Sequence, residues 1–474
     1  MLGRCSVFVM RDSASAALSL VEAEGHPLHR LPVAEDDAMA DAASSVAALH
    51  DIVCTRVVVD HYQLAASWHA RVRQSLGVPV AAIDDLADRD MDVDLLIDQN
   101  LAPDHRAKYG SHLPAKVRLL GGPRFALLGP AFASAPRAQA RDPVGSIGVF
   151  LGGTDPGAHS AMVVEACRRE ADFHGPIEVV TTSANPAREA LAQNFARWPD
   201  TTLSVDLPDL ATFFARHDLQ IGAGGGASWE RCCIGAPSLL LELAANQRAV
   251  IPELAALGAV ASLTDAAALE PAVIGAAVRA LVADFPLRRR LAQRAQALVD
   301  GHGALRVAAA LCANQLTVRA ASAEDSAMMF GWRNDPRTRA VSRQAQPIAE
   351  AEHTQWLAGT LARHDRLLLV GEIGPRALGV IRFDGRAPGE VEVSLYLDPQ
   401  LLDLGLGRSL LAAGEAAAAT RFGGAGQTIH VIATVLDGNT GSARLFRLAG
   451  YQNFGEVWRK PIAAHMPSFL EKSA

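Results

Sequence analysis

The sequence of 474 residues predicts an α/β protein in which two doubly wound parallel halves precede a mixed α+β domain. Short apolar runs alternate with helical stretches up to residue 315, which is the pattern of parallel sheets covered on both faces. Beyond that residue, three longer strands follow one another without helices between them. We therefore predict domains over residues 1–135, 136–315 and 316–474.

Composition and charge exclude several classes of partner for this chain. The formal net charge is −7 and no basic run occurs, which argues against nucleic acid as the main partner. The six cysteines show no CxxC or Cys/His ligand spacing, so we expect reduced thiols and no metal. No apolar stretch reaches the roughly 18 residues of a membrane span, and a signal peptide is not recognisable. We predict a cytoplasmic protein without a membrane partner, and its oligomeric state stays open.

Polar residues follow each of four predicted strands in the first domain. The predicted strands are Ser6–Met10, Val57–Val59, Val78–Ile83 and Leu95–Ile97. The polar clusters that follow them are Arg11–Asp12, Asp60–Tyr62, Asp84–Asp85 and Asp98–Asn100. Because the carboxyl ends of parallel strands meet at one edge of a sheet, these clusters predict a ligand cleft there. Any one of them alone could simply begin an ordinary loop.

A glycine cluster in the second domain has the composition of an anion-binding turn. An apolar run ending at Ile221 leads into four glycines within residues 222–226, and Ser228 follows at the position expected of a helix N-cap. Glycine N–H groups approach a ligand closely, and a helix N-terminus favours negative charge. We therefore predict Gly225, Gly226 and Ser228 as phosphate contacts. Because the GK[ST] of a P-loop is missing, a transferred ATP γ-phosphate is not expected.

Polar side chains beyond this cluster have the chemistry to hold the rest of a nucleotide sugar. Glu230 can accept hydrogen bonds from ribose hydroxyls, and Asn246 and Gln247 can both donate to and accept from a sugar. The alternative is a glycine-rich turn with ordinary polar neighbours.

A second glycine turn precedes this cluster in the same domain. The segment Gly152–Pro156 (GGTDP) follows the predicted strand Ile147–Leu151 and precedes a predicted helix, Ala158–Arg169. Its position favours Gly153 and Thr154 as further anion contacts. The alternative for this segment alone is a plain βα turn.

Several stretches resemble the UDP-2,4-diacetamido-2,4,6-trideoxy-β-L-altropyranose hydrolases of pseudaminic acid biosynthesis. They are VVVDHYQL, AAIDDLADRDMDVDLLIDQN and LGGPRFALLGPAF in the first domain, and GGTDP, SWERCC, G-x-P and A-x-NQ in the second. These enzymes are similar to the two-domain GT-B glycosyltransferase that builds peptidoglycan precursors. The resemblance implies two Rossmann-like halves, with a UDP-sugar held mostly by the second half and cleaved by water.

Hydrolysis of a sugar–phosphate bond requires groups that manage protons and donors for the departing diphosphate. We predict Asp60, His61 and Asp85 as catalytic residues and Tyr62 as a substrate contact. The alternatives are a helix cap for Asp85 and a packed imidazole for His61.

One expected motif of this family does not occur in the chain. Family members open with a strand and a glycine-rich turn, GxGHxxRC, whose histidine is taken as catalytic. Here Gly3–Asp12 fits the second strand of the family, and Gly25–His26 leads into a strand, Pro27–Leu31, instead of a helix. Either the start of the chain is assigned too far downstream, which we favour, or the hydrolase half is damaged.

The third domain resembles the GCN5-related N-acetyltransferases (GNAT). Their pyrophosphate loop has the form Q/R-x-x-G-x-G/A between a strand and a helix, and this chain has LDLGLG after the strand Glu390–Leu397. The resemblance implies acetyl-CoA as co-substrate, with its pyrophosphate on loop N–H groups and its pantetheine arm near Asn439. The loop departs from the pattern only at its first position, Leu402. The predicted loop contacts are Leu402, Leu404, Gly405, Leu406, Gly407 and Arg408.

Acetyl transfer requires a neutral amine, so a base is expected beside the strand Glu390–Leu397. Glu392 is the leading candidate, followed by Glu390 and His353; the alternative for the two glutamates is a solvated strand face. Phe446 stands where many members carry a tyrosine that protonates the CoA thiolate, which leaves Tyr396, water or an unassisted departure.

Two further segments of the third domain, WRNDP and EHTQW, are similar to those of acetyltransferases that act on the 4-amino group of the same pathway's UDP-sugar. This similarity implies Trp332, Arg333 and Asn334 as substrate contacts. The two activities would then be consecutive, because acetylation of the amine makes the substrate of the hydrolase. Two alternatives stay open: a glycosyltransferase of the same fold, and a non-catalytic nucleotide-sugar module joined to an active acetyltransferase.

Overall fold

The computed structural model describes residues 2–3, 5–12, 15–32, 37–265, 269–423 and 427–463. The chain divides into two compact units, which we describe separately. One unit comprises the described residues of 9–14 and 29–307, and the other those of 1–8, 15–28 and 308–474.

The N-terminal part of the chain contains a parallel sheet. Its strands lie in the order β3-β4-β5-β6, all parallel, while β1 and β2 form a separate two-stranded sheet. Every strand of the larger sheet ends at one edge, so the polar clusters that follow β3, β4 and β5 share that edge. The elements are β1 (Phe8–Arg11), α1 (Ser15–Ala23), β2 (Leu28–Leu31), α2 (Ala38–Leu49), β3 (Val57–Asp60), α3 (Ala66–Leu76), β4 (Val80–Ile83), β5 (Leu95–Asp98), α4 (His105–Tyr109), β6 (Arg118–Gly121) and α5 (Pro130–Ser134).

The second part carries a six-stranded parallel sheet in the order β12-β11-β10-β7-β8-β9. Helix α6 continues into a π-helical turn over Ala166–Glu170, so it ends earlier than the predicted helix. The elements are β7 (Ile147–Phe150), α6 (His159–Glu165), β8 (Ile177–Thr181), α7 (Arg188–Phe195), β9 (Thr201–Val205), α8 (Ala211–Arg216), β10 (Leu219–Ala223), α9 (Ala227–Ile234), β11 (Ser238–Leu241), α10 (Ile251–Ala256), β12 (Ala261–Leu263), α11 (Pro271–Ala283), α12 (Phe285–Leu298) and α13 (Gly303–Leu311).

Strand β11 shows how this sheet is covered on both faces. Leu239 and Leu241 belong to one buried cluster, with residues of α6, α7 and α11. Leu240 points the opposite way, into a second cluster with residues of α8, α9 and α10. Successive side chains of a strand alternate between its faces, so a continuous apolar run requires helices on both sides.

The segment over residues 130–143, which joins the two parallel sheets in sequence, is ordered and packed. It begins with α5, and Phe132 and Ala138 lie in the same buried cluster as Leu240. Arg137 donates to the backbone carbonyls of Cys233 and Asp300, which fixes the segment against the second sheet. Low hydrophobic periodicity in a segment therefore does not exclude burial of its single apolar residues.

The C-terminal part contains a seven-stranded mixed sheet in the order β13-β14-β15-β16-β17-β19-β18. Only β16 and β17 are parallel neighbours; the other pairs are antiparallel. The elements are β13 (Thr317–Ala320), α14 (Ser326–Asn334), α15 (Pro336–Arg339), α16 (Glu350–Leu361), β14 (Arg366–Ile373), β15 (Arg376–Ala387), β16 (Glu390–Leu397), α17 (Leu406–Phe422), β17 (Ile429–Thr434), α18 (Thr440–Leu448), β18 (Gln452–Phe454) and β19 (Val457–Ile462). The predicted α/β class, with two parallel halves and a mixed α+β part, is confirmed.

Because the second sheet is covered on both faces, removal of one of its buried side chains should destabilise the protein. Leu240 has no exposed surface, so Leu240→Ala should lower the free energy of unfolding by about 2–5 kcal/mol, since the helices cannot fully close the cavity. Denaturant unfolding measures this loss. The control is Leu257→Ala. Leu257 follows α10 beside the same sheet and is 41% exposed, so this substitution should change the free energy of unfolding little. Equal effects of the two substitutions would contradict the packing described here.

Candidate functional site

The strand order of the second sheet reverses between its two central strands. From β7 the chain proceeds outward through β8 and β9, and from β10 it proceeds outward on the other side through β11 and β12. In open parallel sheets, the crevice for a ligand lies outside the carboxyl ends of the strands at this reversal. Gly222 of β10 is paired with Phe150, the last residue of β7, so both glycine turns leave the sheet at this point.

The turn after β7, with the sequence GGTDP, is held rigidly. The carbonyl of Gly153 accepts hydrogen bonds from the hydroxyls of Thr181 and Thr182, both at 2.9 Å. The buried carboxylate of Asp155 accepts from two backbone N–H groups at the start of α6. Thr154 is exposed between these anchors, so a ligand can reach its hydroxyl and backbone.

The turn after β10 combines one tightly packed glycine with two open ones. A Cβ at Gly224 would overlap Ile251, whereas a Cβ at Gly225 or Gly226 would meet nothing within 4 Å. Helix α9 begins at Ala227; the N–H groups of Ser228 and Trp229 donate to the carbonyls of Gly225 and Gly226, whereas the N–H groups of Gly225 and Gly226 make no hydrogen bond within the described residues. The space beside Gly225 and Gly226 is therefore lined by backbone donors and suits an anion.

Ser228 does not cap this helix, so that prediction was wrong. The backbone is already helical at Gly226, two residues earlier, with φ −53° and ψ −34°. The hydroxyl of Ser228 is enclosed and has no hydrogen-bond partner within the described residues. The sequence favours serine as a cap, but glycine without a side chain enters the helix here instead.

A buried guanidinium lies behind the same turn. Arg231 is 1% exposed; its Nη2 donates to the carbonyl of Ala223 at 2.5 Å, and its Nε and Nη1 have no partner within the described residues. The guanidinium lies 5.5 Å from the ring centroid of Phe214. Burial lowers the pKa of Arg231 to about 10, so the group stays charged at neutral pH. It places a positive charge close to the turn, which favours a negatively charged ligand.

Of the polar residues predicted to contact a sugar, Gln247 is bound to the protein itself. Its Oε1 accepts from the N–H of Leu243 at 2.9 Å and of Gly224 at 3.4 Å, so it positions the glycine turn. Asn246 is exposed beside it. Glu230 lies in the first turn of α9, where burial raises the pKa of its carboxyl group.

The predicted catalytic residues of the first sheet lie at the ends of β3 and β4. Asp60 is the last residue of β3, and its pKa is raised by burial and by the charge of Asp85. Tyr62 is 56% exposed, and its partial burial together with the charge of Asp85 raises its pKa to about 12. Asp60, Tyr62 and Asp85 therefore form one cluster.

His61 has a different environment from its neighbours. Its Nδ1 accepts from the backbone N–H of Gln63 at 3.1 Å, which leaves the proton of the neutral ring on Nε2. Burial and the charge of Arg11 lower the pKa of His61, so the ring is neutral at neutral pH.

A chain of hydrogen bonds connects this cluster to the glycine turn of the second sheet. Asp85 Oδ2 accepts from Asn100 Nδ2 at 2.7 Å, and Asn100 Oδ1 accepts from Trp229 Nε1 at 3.1 Å. Trp229 stands in the first turn of α9, directly after the open glycines. The other oxygen of Asp85, Oδ1, is enclosed and without a partner within the described residues. The sequence contained the polar residues but gave no signal for a bond across 129 positions.

The C-terminal unit contains a cavity of about 460 Å³ where two neighbouring strands part. Strands β16 and β17 are paired as far as Val393 and Ala433. Beyond those residues β16 pairs only with β15, and Thr434 pairs with β19. The cavity is lined by Ser394–Tyr396 on one side of this opening, and by Thr434, Leu436, Asn439, Ser442 and Phe446 on the other.

Glu392, predicted as the base for acetyl transfer, lies in this cavity but is engaged by three partners. Arg386 and Arg343 form ion pairs with it, the latter at 3.3 Å, and the hydroxyl of Thr434 donates to it at 3.2 Å. Burial alone would raise the pKa of Glu392, but Arg386 and then Arg343 lower it. The carboxylate is therefore a weaker base than an unpaired glutamate. Glu390 is not among the residues that line this cavity.

The three predicted substrate contacts of this unit do not lie together. Arg333 lines the cavity and keeps one enclosed nitrogen, Nη1, without a partner within the described residues. Asn334 is hydrogen-bonded to the N–H and the carbonyl of Ile348, so it fixes a loop. Trp332 packs against an apolar cluster and borders a different, smaller depression. The sequence WRN is helical here, so consecutive side chains point in different directions.

The predicted pyrophosphate loop runs from Leu402 to the start of α17. The side chains of Leu404 and Leu406 are fully buried, so only their backbone can meet a ligand. Asp403 and Gly405 have positive φ angles of 66° and 68°, which turn the chain into the helix. Gly407 is partly exposed, Arg408 is exposed, and the first N–H groups of α17 have no intrahelical acceptor.

Asn439 connects the cavity with helix α18, at whose start it stands. Its Oδ1 accepts from the N–H of Ser442 at 3.0 Å, and its Nδ2 lies 3.5 Å from the carbonyl of Val341. Phe446, on the same helix, is 4% exposed and packs against Tyr451 with ring centroids 4.9 Å apart.

Comparisons with known proteins agree with this geometry. The acetyltransferase (GNAT) domain family matches residues 315–452. That part of the chain is a GNAT domain. The spermidine N-acetyltransferase of Vibrio cholerae, solved with CoA and spermine, covers 31% of this chain and 95% of its own, at 14% identity and a TM-score of 0.28.

The part before the GNAT domain is similar to one protein that is named for polysaccharide biosynthesis. The spore coat polysaccharide biosynthesis protein SpsG of Bacillus subtilis is 29% identical over 202 residues, which are 42% of this chain and 60% of that protein. MurG of Acinetobacter baumannii covers 64% of this chain and 98% of its own, at 15% identity and a TM-score of 0.46. The match spans less than two thirds of SpsG.

The described residues contain neither a helix that could cross a membrane nor a cluster of metal-ligating side chains. None of the helices in the described ranges is long and apolar enough to cross a membrane. In the same ranges, no group of three or more His, Cys, Asp or Glu residues is arranged to hold a metal ion.

The sequence did not identify several residues that line the GNAT cavity. Arg382 and Asp384 alternate along β15 and stand opposite Ser394 and Glu392 of β16, so they belong to the same face. The period of two was visible in the sequence of β15 as it was in β16. The sequence did not show that β15 and β16 pair with each other, and this pairing joins their polar faces into one wall.

The positive φ of Gly405 predicts a specific loss of acetyl-CoA affinity. An L residue strains this conformation by about 1–2 kcal/mol, so Gly405→Ala should shift the loop and weaken acetyl-CoA binding about tenfold. Calorimetric titration measures this. Gly389→Ala carries the same strain, at φ 75°, in the turn between β15 and β16, and should keep the affinity. Equal affinities for both variants would show that the loop does not bind the cofactor.

Proposed function

We propose that the chain is a bifunctional enzyme of nucleotide-sugar metabolism. Its GNAT domain transfers an acetyl group from acetyl-CoA to the 4-amino group of a UDP-trideoxy sugar. Its two parallel sheets then bind the resulting UDP-2,4-diacetamido-2,4,6-trideoxy-β-L-altrose, and water cleaves it to UDP and the free sugar, as in pseudaminic acid biosynthesis. Both substrates are cytoplasmic metabolites, so we place the protein in the cytoplasm.

The observation that carries the acetyltransferase part is the opening between β16 and β17. It offers a cavity in which unpaired backbone groups of Ser394–Tyr396 face the start of α18, next to the loop that precedes α17. A thioester needs such a site, because its carbonyl must be polarised while its phosphates are held elsewhere. Arg333, a cation in the cavity wall, suits an acceptor that carries negative charge such as a UDP-sugar.

The observation that carries the nucleotide part is the pair of glycine turns at the reversal of strand order. Open backbone donors at Gly225 and Gly226, backed by the charge of Arg231, suit a diphosphate. The similarity to SpsG, named for spore coat polysaccharide biosynthesis, supports a nucleotide-sugar substrate. The diphosphate is also the leaving group of the proposed hydrolysis, and these donors would stabilise its negative charge as the bond breaks.

Proton transfer in the hydrolysis falls to the cluster at the ends of β3 and β4. Asp60, whose pKa is raised, can hold a proton for the departing oxygen, while the carboxylate of Asp85 can take one from water. The hydrogen bond from Asn100 fixes the orientation of Asp85. In this scheme, water attacks the anomeric carbon, the carbon–oxygen bond breaks and UDP leaves.

Two alternatives are kept. A glycosyltransferase would use the same diphosphate site but pass the sugar to an acceptor other than water. A non-catalytic module would bind the UDP-sugar and leave only the acetyltransferase active.

Asp85→Asn separates the two activities. It should lower the rate of UDP release by about 10²–10⁴-fold, because the proton acceptor is lost, while release of CoA from acetyl-CoA and the 4-amino UDP-sugar continues. A coupled UDP assay and a thiol assay measure the two rates on the same chain. Unchanged UDP release in the variant would remove Asp85 from the reaction.

The unaltered chain, compared with a longer chain that restores a GxGH segment, decides between the alternatives. UDP release by either protein supports hydrolysis, and release by the longer one alone places the missing histidine in the reaction. UDP release that requires an added sugar acceptor would support the glycosyltransferase. CoA release without any UDP release from either protein would leave a binding module with an acetyltransferase.

A further inference from the structure

His353 lies in the wall of the acetyltransferase cavity and has no part in the binding scheme above. It stands on α16 and is 2% exposed. Its ring packs against those of Phe330 and Trp356, with centroids 5.6 Å away in both cases. A ring held by two others has little freedom to turn, so the fold determines where its two nitrogens point.

A backbone hydrogen bond decides which nitrogen of His353 carries the proton. Nε2 lies 3.1 Å from the carbonyl oxygen of Ser326. A carbonyl oxygen only accepts, so this bond requires hydrogen on Nε2, and the neutral ring then has its lone pair on Nδ1. Nδ1 makes no hydrogen bond within residues 269–423 and 427–463, and it is not among the enclosed unpartnered atoms of the chain. The lone pair is therefore accessible from the cavity.

The surroundings of His353 keep the ring neutral. Burial lowers its pKa from the usual 6.5, and the hydrogen bond to Ser326 offsets only part of that effect. The charged and titratable groups that line the same cavity are Glu352 on its own helix, Arg333 on α14, Arg343 between α15 and α16, Arg382, Asp384 and Arg386 on β15, and Glu392 and Tyr396 on β16.

The other candidate base in the cavity is engaged elsewhere. Glu392 pairs with Arg386 and Arg343 and accepts from Thr434, so its lone pairs are directed at these partners. To take a proton from an amine, it would first have to give up part of this network. His353 has no such competition at Nδ1.

We propose that His353 is the general base of the acetyl transfer, with Nδ1 as the atom that accepts the proton. The proposal rests on the acetyltransferase function stated above. Nδ1 takes a proton from the ammonium group of the acceptor, and the resulting neutral amine attacks the carbonyl carbon of the acetyl thioester. The carbon–nitrogen bond forms, the carbon–sulfur bond breaks, and the second amine proton goes to the departing thiolate. The imidazolium returns its proton to water.

The substitution His353→Gln separates this role from a merely structural one. The side-chain amide of glutamine can still donate to the carbonyl of Ser326, but it offers no basic nitrogen at the position of Nδ1. We expect kcat for CoA release to fall about 10²-fold or more, with the acetyl-CoA affinity and the melting temperature kept. Retention of kcat within about threefold would overturn the proposal, because the hydrogen bond alone would then suffice.

Two further proteins control for loss of folding. Thr354→Ala, at an exposed position of the same helix, should keep both activity and stability. His353→Asn places an amide near Nδ1 but loses the bond to Ser326, so it should lose kcat as well. If Asn retains kcat while Gln loses it, the accepting atom need not be basic, and the general-base role is wrong.

The pH dependence of kcat in the unaltered protein does not depend on any substitution. Because the pKa of His353 is lowered, kcat should fall with decreasing pH only below the usual imidazole value of 6.5, as the ring becomes charged. His353→Gln should lack this inflection. An acid inflection of kcat that persists unchanged in His353→Gln would contradict the proposal.

Nitrogen NMR of the imidazole distinguishes failure of this proposal from failure of the proposed function. If the unaltered protein releases no CoA with the 4-amino UDP-sugar, the proposed acceptor is wrong. The ring of His353 is then still judged by its ¹⁵N shifts at about pH 7, which should show a protonated Nε2 and an unprotonated Nδ1. A proton on Nδ1 would overturn the assignment whatever the acceptor.

Discussion

The reversal of strand order between β7 and β10 determines where a ligand can bind in the first unit. Two neighbouring strands send their chains to opposite sides, so neither following helix covers the space above their ends. Glycines occupy both turns there, and the carbonyl of Gly153 and the side chain of Gln247 hold the turns in place. Arg231 is buried behind these turns with unpartnered nitrogens, and its positive charge favours a negatively charged ligand at this position.

The connection between Trp229 and Asn100 extends this site to the first sheet. The indole follows the open glycines, and Asn100 passes the contact to Asp85, whose other oxygen remains without a partner. The position of Asp85 therefore depends, through Asn100, on the position of helix α9. In the GNAT domain, the separation of β16 and β17 has the same effect as the strand reversal in the first unit. It creates the cavity and exposes backbone groups in it.

The sequence predicted the order of strands and helices because apolar periodicity and glycine turns are local properties. For Gly225, Gly226 and the loop at Gly405 the prediction concerned backbone that follows a strand, and the structure has open glycines before α9 and the start of α17 there. It was wrong for Ser228, whose capping preference is outweighed where the chain becomes helical at Gly226. It could not show that Glu392 is engaged by Arg343 and Arg386, because those partners come from other elements and only tertiary pairing brings them together.

Binding of UDP to the full chain tests the central claim, that a diphosphate sits beside the open glycines of the second sheet. Calorimetric titration of the unaltered protein should show one UDP per chain. Gly225→Val adds a side chain into space where a Cβ meets nothing within 4 Å, so the fold should be kept while UDP is excluded. Loss of UDP binding with an unchanged melting temperature is the result this account predicts. Equal affinity of the two proteins for UDP would contradict it.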